Sequence, residues 1–370
     1  MTPTPLFDRR DFRIPDGIAH VCAAGETAFL RSHDAALLRY AADKSNGMPG
    51  RHAQEAQVER ARELLAECWG ATPEDIGFVG SVADGVSLVV ESLDWRAGDN
   101  VCFDSNEYPS IVAPLALRPR AELRFASGIE PNRLAALVNS RTRLIGVSYV
   151  SYLSGERFDL AALRRLADSV GALLVVDFTQ AAGYLPIEAR LADFAFSACY
   201  KWLLGMTGVA AAYWNRARQP DWMPATAGWH SLASGARPDY AGALELRPDA
   251  MRFTRGNPAH GSVYVLVSAL EYLRQFDTND VQRHVEALST DLLARLRDLQ
   301  IPSTTPEDPA RRGGNVCIAH PRAQAVVDAL HERGVWAWNG RGRIRFSFHG
   351  YNGGDDVERI VAALRAAWSG

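Results

Sequence analysis

The run RLIGVSYV, then DLAALRRLADSVG, then ALLVVD constrains the fold more than any other stretch of this chain. Its outer parts are short, apolar and rich in β-branched residues, as buried strands are, and the middle part sets its leucines at helical spacing. Asp159 stands where an N-cap accepts free backbone N–H groups, and Gly171 where a chain leaves a helix in the left-handed conformation. Two such strands joined through a helix form a right-handed crossover, which makes them parallel and lays the helix on the sheet. The alternation recurs upstream. AQEAQVERARELLAECWG presents Val58, Ala61, Leu64, Leu65 and Cys68 on one helical face and stops at Gly70, IGFVG reads as a buried strand, and SVADGVSLVVESL as a helix starting near Ser81. Near residue 260 the pattern changes to two long helices, about 262–276 and 280–299. The strands NVCIAH and RIRFSFH follow, alternating with helices at 322–333 and 354–368. The expected chain is α/β: a large domain over 16–260 built on a mostly parallel sheet covered on both sides, and a smaller α+β domain over 261–370 with the N-terminal arm 1–15.

The strand ALLVVD ends in Asp177, and the aromatic, weakly polar stretch AFSACYKWLLG carries Lys201. Singly, each has an ordinary reading, a helix-capping Asp and a snorkelling Lys. Together they are what a pyridoxal phosphate site requires. An amine must lose its proton to form a Schiff base, which desolvation favours, and a carboxylate must keep the pyridine nitrogen protonated so that the ring accepts electrons. The turn FVGSVADG leads a strand into a helix through Gly80 and Ser81, aiming unpaired N–H groups and the positive helix end at one spot, where a phosphate is stabilised. In RIRFSFH, two-residue alternation sends Ile344, Phe346 and Phe348 to a core and leaves Arg343, Arg345 and Ser347 on the other face. An Arg fork there matches a carboxylate through two parallel bonds.

In this order, these stretches resemble the class V aminotransferase family of fold-type I pyridoxal phosphate enzymes, which includes cysteine desulfurases, isopenicillin N epimerase and kynureninase. The likeness runs from FRIPDG to RIRFSFHGYN and is most specific in VVDFTQAAG and SACYKWLLGMTG. It implies a seven-stranded sheet in the large domain, with Lys201 and Asp177 as the catalytic pair: Lys201 bonded to the cofactor and Asp177 paired with the pyridine nitrogen. Gln180 would bond the phenolic oxygen and Tyr200 would reach the phosphate. Ser81 would bind the phosphate too, joined by the backbone of Val82, which stands where the family usually has a second hydroxyl. Tyr108, in NEYPSIVAP, would stack on the ring, and Ser151, in GVSYVSYLSG, takes the place where relatives put Asn or Gln beside it. GWH and RFTRGNPAHG are similar to kynureninase-like segments and imply a homodimer with shared active sites, in which Trp229 and Asn257 reach the neighbouring subunit's phosphate. The spacing of Arg345 to Tyr351 and Asn352 matches the family's carboxylate-binding Arg, with Arg341 as a second contact.

Bulk properties agree with a cytoplasmic enzyme. The chain has 370 residues and a formal charge of -3 with both signs interspersed, which gives no reason to expect nucleic acid or membrane as a partner. Cys22, Cys68, Cys102, Cys199 and Cys317 are odd in number, scattered and never paired as CxxC, so they read as reduced thiols, mostly in the core. The N-terminus lacks an apolar signal core, and no apolar run approaches the roughly 18 residues of a membrane span. GxGxxG, GxxxxGK[ST], HExxH and GxSxG are all missing, the nine histidines are dispersed, and no metal site is expected.

The reaction is less constrained than the cofactor. A desulfurase presents a nucleophilic Cys on a loop shortly before its carboxylate-binding Arg, whereas VWAWNGRGRIRFS runs through without one, and Cys317 falls inside the strand NVCIAH. The expectation is an enzyme acting on a small α-amino acid by transfer, epimerisation or elimination, each beginning with proton removal at Cα, for which Lys201 is the base. The alternatives are a Cβ–Sγ or kynureninase-like lyase, and a binding protein of the same fold without catalysis. Retention of Asp177, Gln180, Lys201 and Arg345 opposes the last.

Overall fold

Residues 3–117, 121–128, 131–233 and 244–368 are described by the computed structural model. Its strands in chain order are β1 (Ala19–His20), β2 (Ile76–Val79), β3 (Asp99–Asp104), β4 (Ala121–Ala126), β5 (Thr142–Ser148), β6 (Leu173–Asp177), β7 (Phe194–Ala198), β8 (Ala210–Trp214), β9 (Asn315–Ala319), β10 (Val335–Trp336), β11 (Trp338–Gly340) and β12 (Arg343–Ser347). Seven of them form one sheet in the order β2-β8-β7-β6-β5-β3-β4. The pairings from β7 through β6, β5 and β3 to β4 are parallel, and β8 runs antiparallel to both its neighbours.

The central strands of the sheet are buried on both faces, so β6 and β8 read as continuous apolar runs. In β6, Leu174 and Val176 join one core with Ile145 and Val147, while Val175 joins a second core with Leu144, Val101 and Phe196. The helix Leu160–Val170 begins at Asp159, which accepts from the Ala162 N–H (2.9 Å), and ends at Gly171 with φ +71°, as its sequence predicts. The helix Val82–Glu91 packs so closely on β7 that a Cβ at Gly85 would overlap the Phe196 ring. That close approach fixes where the helix N-terminus points, at the carboxyl ends of the central strands.

The smaller unit is the antiparallel sheet β11-β12-β9 with the helices Thr278–Asp298, Ala323–Glu332 and Gly354–Ala367. Ile344, Phe346 and Phe348 enter the core, and the opposite face of β12 is closed as well, with Arg345 and Ser347 buried. Two features tie the N-terminal segment and the first long helix after residue 260 to their neighbours. β1 pairs in parallel with β10, which carries the N-terminal segment onto the smaller unit well past residue 15. The helix His260–Leu273 lies against the helices Ser32–Lys44 and Gly47–Trp69 of the large unit, held by Tyr264 to Asp43 (2.6 Å) and Ser32 to Ser268 (3.0 Å). Val263, Leu266 and Leu270 are fully buried there, so the apolar face of that helix decides its allegiance. Among the described residues no helix is long and apolar enough to cross a membrane.

Candidate active site

β6 delivers Asp177 to the carboxyl edge of the sheet, and the turn after β7 delivers Lys201 beside it. Asp177 is buried and its Oδ1 accepts from the Thr179 N–H (2.7 Å). Thr179 in turn accepts from the Ala198 N–H (2.9 Å), which pins the carboxylate between the two strand ends. Burial raises the Asp177 pKa, with the Thr179 bonds and the Lys201 charge opposing. The Lys201 turn is closed by Gly205 N–H to Cys199 O (2.8 Å) and by Leu204 in the left-handed conformation. Trp202, fully buried against Tyr184 at 4.1 Å between ring centroids, anchors it.

These residues edge a cavity of about 210 Å³ whose lining includes Ser81, Val82, Tyr108, Asp177, Gln180, Tyr200 and Lys201. Lys201 Nζ sits 5.6 Å from the centroid of the Tyr108 ring and 5.5 Å from that of Tyr200. Burial pushes the amine down to about 8, and the Arg345 charge adds to the effect against Asp177 and Glu26. Ser81 is the N-cap of the helix Val82–Glu91, accepting from the Asp84 N–H (3.2 Å) while donating to the Asp84 carboxylate (2.9 Å). Gln180 is anchored on three sides. Its amide donates to Ala24 O (3.0 Å) and accepts from Trp202 Nε1 (3.2 Å) and Asn315 Nδ2 (3.4 Å), which leaves one amide hydrogen for a ligand.

Several expected site residues lie outside that lining. The Ser151 hydroxyl accepts from the Leu153 and Ser154 N–H groups at 3.3 Å, inside a turn. Ser148, aligned with Asp177 across β5 and β6, takes the place beside the cavity. Arg345 stands behind Tyr152, donating to its carbonyl (2.9 Å) with its guanidinium 4.2 Å from the centroid of Trp338. Among the described residues its buried Nε has no hydrogen-bond partner. Arg341 has a left-handed φ of 49° and lies 5.7 Å from the Tyr152 ring. Trp229 and Asn257 do not reach the cavity of their own chain. Arg51 joins them, bonding Asn257 Oδ1 (2.5 Å) and lying 5.6 Å from the Trp229 ring centroid. The sequence reading missed Thr179, Tyr152 and Glu107. For Thr179 the signal was its place two residues after a strand-ending Asp, where a backbone N–H turns back to the carboxylate.

The residues present fit pyridoxal phosphate: a buried amine of lowered pKa, a buried carboxylate in the same lining, and a helix N-terminus among the lining residues. The fit has a consequence for stability. The folded pKa of Lys201 lies below its ordinary 10.5, so the folded chain binds fewer protons than the unfolded one between about 8 and 10.5. This contribution disfavours folding at pH 7 and fades as pH rises through that window. Cofactor-free Lys201→Met is therefore expected to be more stable than the parent at pH 7 in urea unfolding, with the gap closing toward pH 10.5. Parallel curves would put the amine in solvent.

The family model for aminotransferase class-V matches residues 27–360. An uncharacterized aminotransferase of Bacillus subtilis is 26% identical over 84% of this chain and 84% of its own. Among solved structures, a cysteine desulfurase of Thermococcus onnurineus superposes with a TM-score of 0.88 at 21% identity, covering 98% of this chain and 97% of the other. A cystine C–S lyase complexed with cysteine persulfide superposes at 0.85 and 22% identity, covering 94% and 97%. These structural likenesses agree with the sheet order and the small antiparallel sheet described above, and the family match extends over nearly the whole chain. The chain belongs to the aminotransferase class-V family of pyridoxal phosphate-dependent enzymes.

Proposed function

We propose that this enzyme removes the Cα proton of a small α-amino acid, leading to transfer, epimerisation or elimination, with Lys201 and Asp177 as the catalytic residues. The observation that carries the reading is the Lys201 amine, buried between two tyrosine rings with its pKa lowered to about 8. At that pKa a useful fraction of the amine is neutral near pH 7, and the same group can take a proton from Cα. Asp177 keeps the ring nitrogen protonated, Tyr108 covers the ring, and the N–H groups at Ser81 and Val82 together with Tyr200 receive the phosphate. Bound pyridoxal phosphate supplies the electron sink for charge left at Cα. Arg345 grips the substrate carboxylate. It is a buried cation backed by an indole face rather than by a carboxylate, so an incoming anion meets no internal competitor.

Elimination at Cβ, including Cβ–Sγ cleavage, is the second reading and uses the same groups. It is favoured by the likeness to a C–S lyase. Sulfur release through a protein persulfide just before Arg345 is opposed by the hairpin there. β11 and β12 are joined through Arg341 and Gly342, both with positive φ, as in the tightest hairpin turns, which leaves no loop to carry a thiol. Cys317 pairs with Arg345 inside the sheet, and burial pushes its thiol up to about 11.

The reading also includes a homodimer. Trp229 is 61% exposed and is held out by Arg51 rather than folded away, as an aromatic anchor for a second copy would be. Sedimentation is expected to show a dimer, and a fully active monomer would refute this part. For Arg345→Ala we expect kcat/KM for the preferred amino acid to fall by about 2 to 5 kcal/mol in transition-state binding, with the bound cofactor's spectrum unaltered. A screen of amino acids with product identification selects the substrate. Unchanged kinetics in the variant would remove Arg345 from the site.

A further inference from the structure

Glu107 has no part in the chemistry above, yet it is buried beside that chemistry and fully engaged. Its Oε1 accepts from the Tyr108 N–H (2.6 Å) and from the Ser148 hydroxyl (2.5 Å), and its Oε2 accepts from the Ser148 N–H (2.8 Å). Tyr108 and Ser148 come from different elements, one opening the helix Pro109–Ala116 and the other ending β5, and both line the cavity. Ser148 is also the register partner of Asp177. One carboxylate therefore spans the gap between the aromatic wall of the cavity and the strand ends that form its floor. Burial drives the Glu107 pKa up to about 7, the Asp177 charge adds to that, and the three donors oppose it. Such a group is costly to keep in a dry site, and a plain strut would be served as well by an apolar pair of the same shape.

We propose that Glu107 is a positioning residue, whose carboxylate locks Tyr108 to the end of β5 and so sets the tilt of the cofactor ring between Tyr108 and Asp177. The proposal rests on the reading of this cavity as the pyridoxal phosphate site. Three donors converge on two oxygens, an arrangement only a carboxylate satisfies. A Gln of the same shape must turn its NH2 either on the Ser148 N–H or on the Tyr108 N–H and Ser148 hydroxyl, releasing one side of the lock. Tyr108 then keeps its place in the chain but loses its fixed angle.

The test compares the parent holoenzyme, Glu107→Gln and Ser148→Ala, the last removing only the hydroxyl donor. The readouts are the circular dichroism band of the bound cofactor, which reports the asymmetry of its surroundings, the Kd for pyridoxal phosphate, and the unfolding midpoint of each protein without cofactor. We expect Glu107→Gln to lose at least half of the dichroism band and to bind pyridoxal phosphate about tenfold more weakly, because the released Tyr108 must be ordered on binding. Ser148→Ala should move both in the same direction by less, with the cofactor-free midpoints lowered only as far as one lost buried hydrogen bond accounts for. If Glu107→Gln fails to fold, Ser148→Ala decides alone. Variants that match the parent in band and Kd overturn the inference, as does a Kd loss that merely follows a lowered cofactor-free midpoint with the band intact. A parent protein that takes up no pyridoxal phosphate overturns the underlying reading, and is distinguishable because it fails before any variant is compared.

Discussion

The site depends on keeping one amine dry. Lys201 has to lose its water without losing its reach, and the chain achieves this by closing a short turn around Cys199 to Gly205 and wedging Trp202 beneath it. Gly183 belongs to the same device: at φ +113°, a Cβ there would run into the Trp202 carbonyl, so only the smallest residue lets the two loops touch. Desolvation lowers the amine's pKa, and Asp177, raised by the same burial, sits opposite at the end of β6. Neither perturbation follows from a local motif. Both follow from a sheet that is covered on both faces and opens only at its carboxyl edge, the place where open α/β sheets bind ligands.

The smaller unit completes the site instead of merely capping it. Asn315 reaches Gln180, His349 bonds the Trp202 carbonyl (2.9 Å), and Arg345 bonds the Tyr152 carbonyl, so residues of β9 and β12 and the chain just beyond β12 brace loops of the large unit. The two units thereby share hydrogen bonds at the loops that carry Gln180, Trp202 and Tyr152. Lying on a strand next to a two-residue hairpin turn gives Arg345 little conformational freedom. It also removes the loop on which a persulfide-forming thiol would have to travel.

Much of this was legible in the sequence wherever a local rule decides the structure. Asp159 and Gly171 bracket their helix as caps must, Ser81 starts an earlier one, and alternation placed Ile344, Phe346 and Phe348 in the core. The antiparallel β8 was not legible, because AAAYW is buried throughout and an apolar run carries no sign of strand direction. The position of Ser148 was not legible for a related reason: only the pairing of β5 with β6 sets it beside Asp177. Glu107 lay beyond any local reading. An acidic residue in NEYP looks like a solvated turn until the fold brings Ser148 against it. Trp338 escaped notice likewise, since its stacking on Arg345 depends on the cross-strand pairing of β11 with β12.

The most direct test of the central claim is chemical. Purified protein reconstituted with pyridoxal phosphate is reduced with borohydride, digested, and its pyridoxyl-bearing peptide identified by mass. The account predicts a single modified peptide with the label on Lys201, and a yellow protein that bleaches on reduction. A label on another lysine, or no cofactor retained after reconstitution, would contradict it.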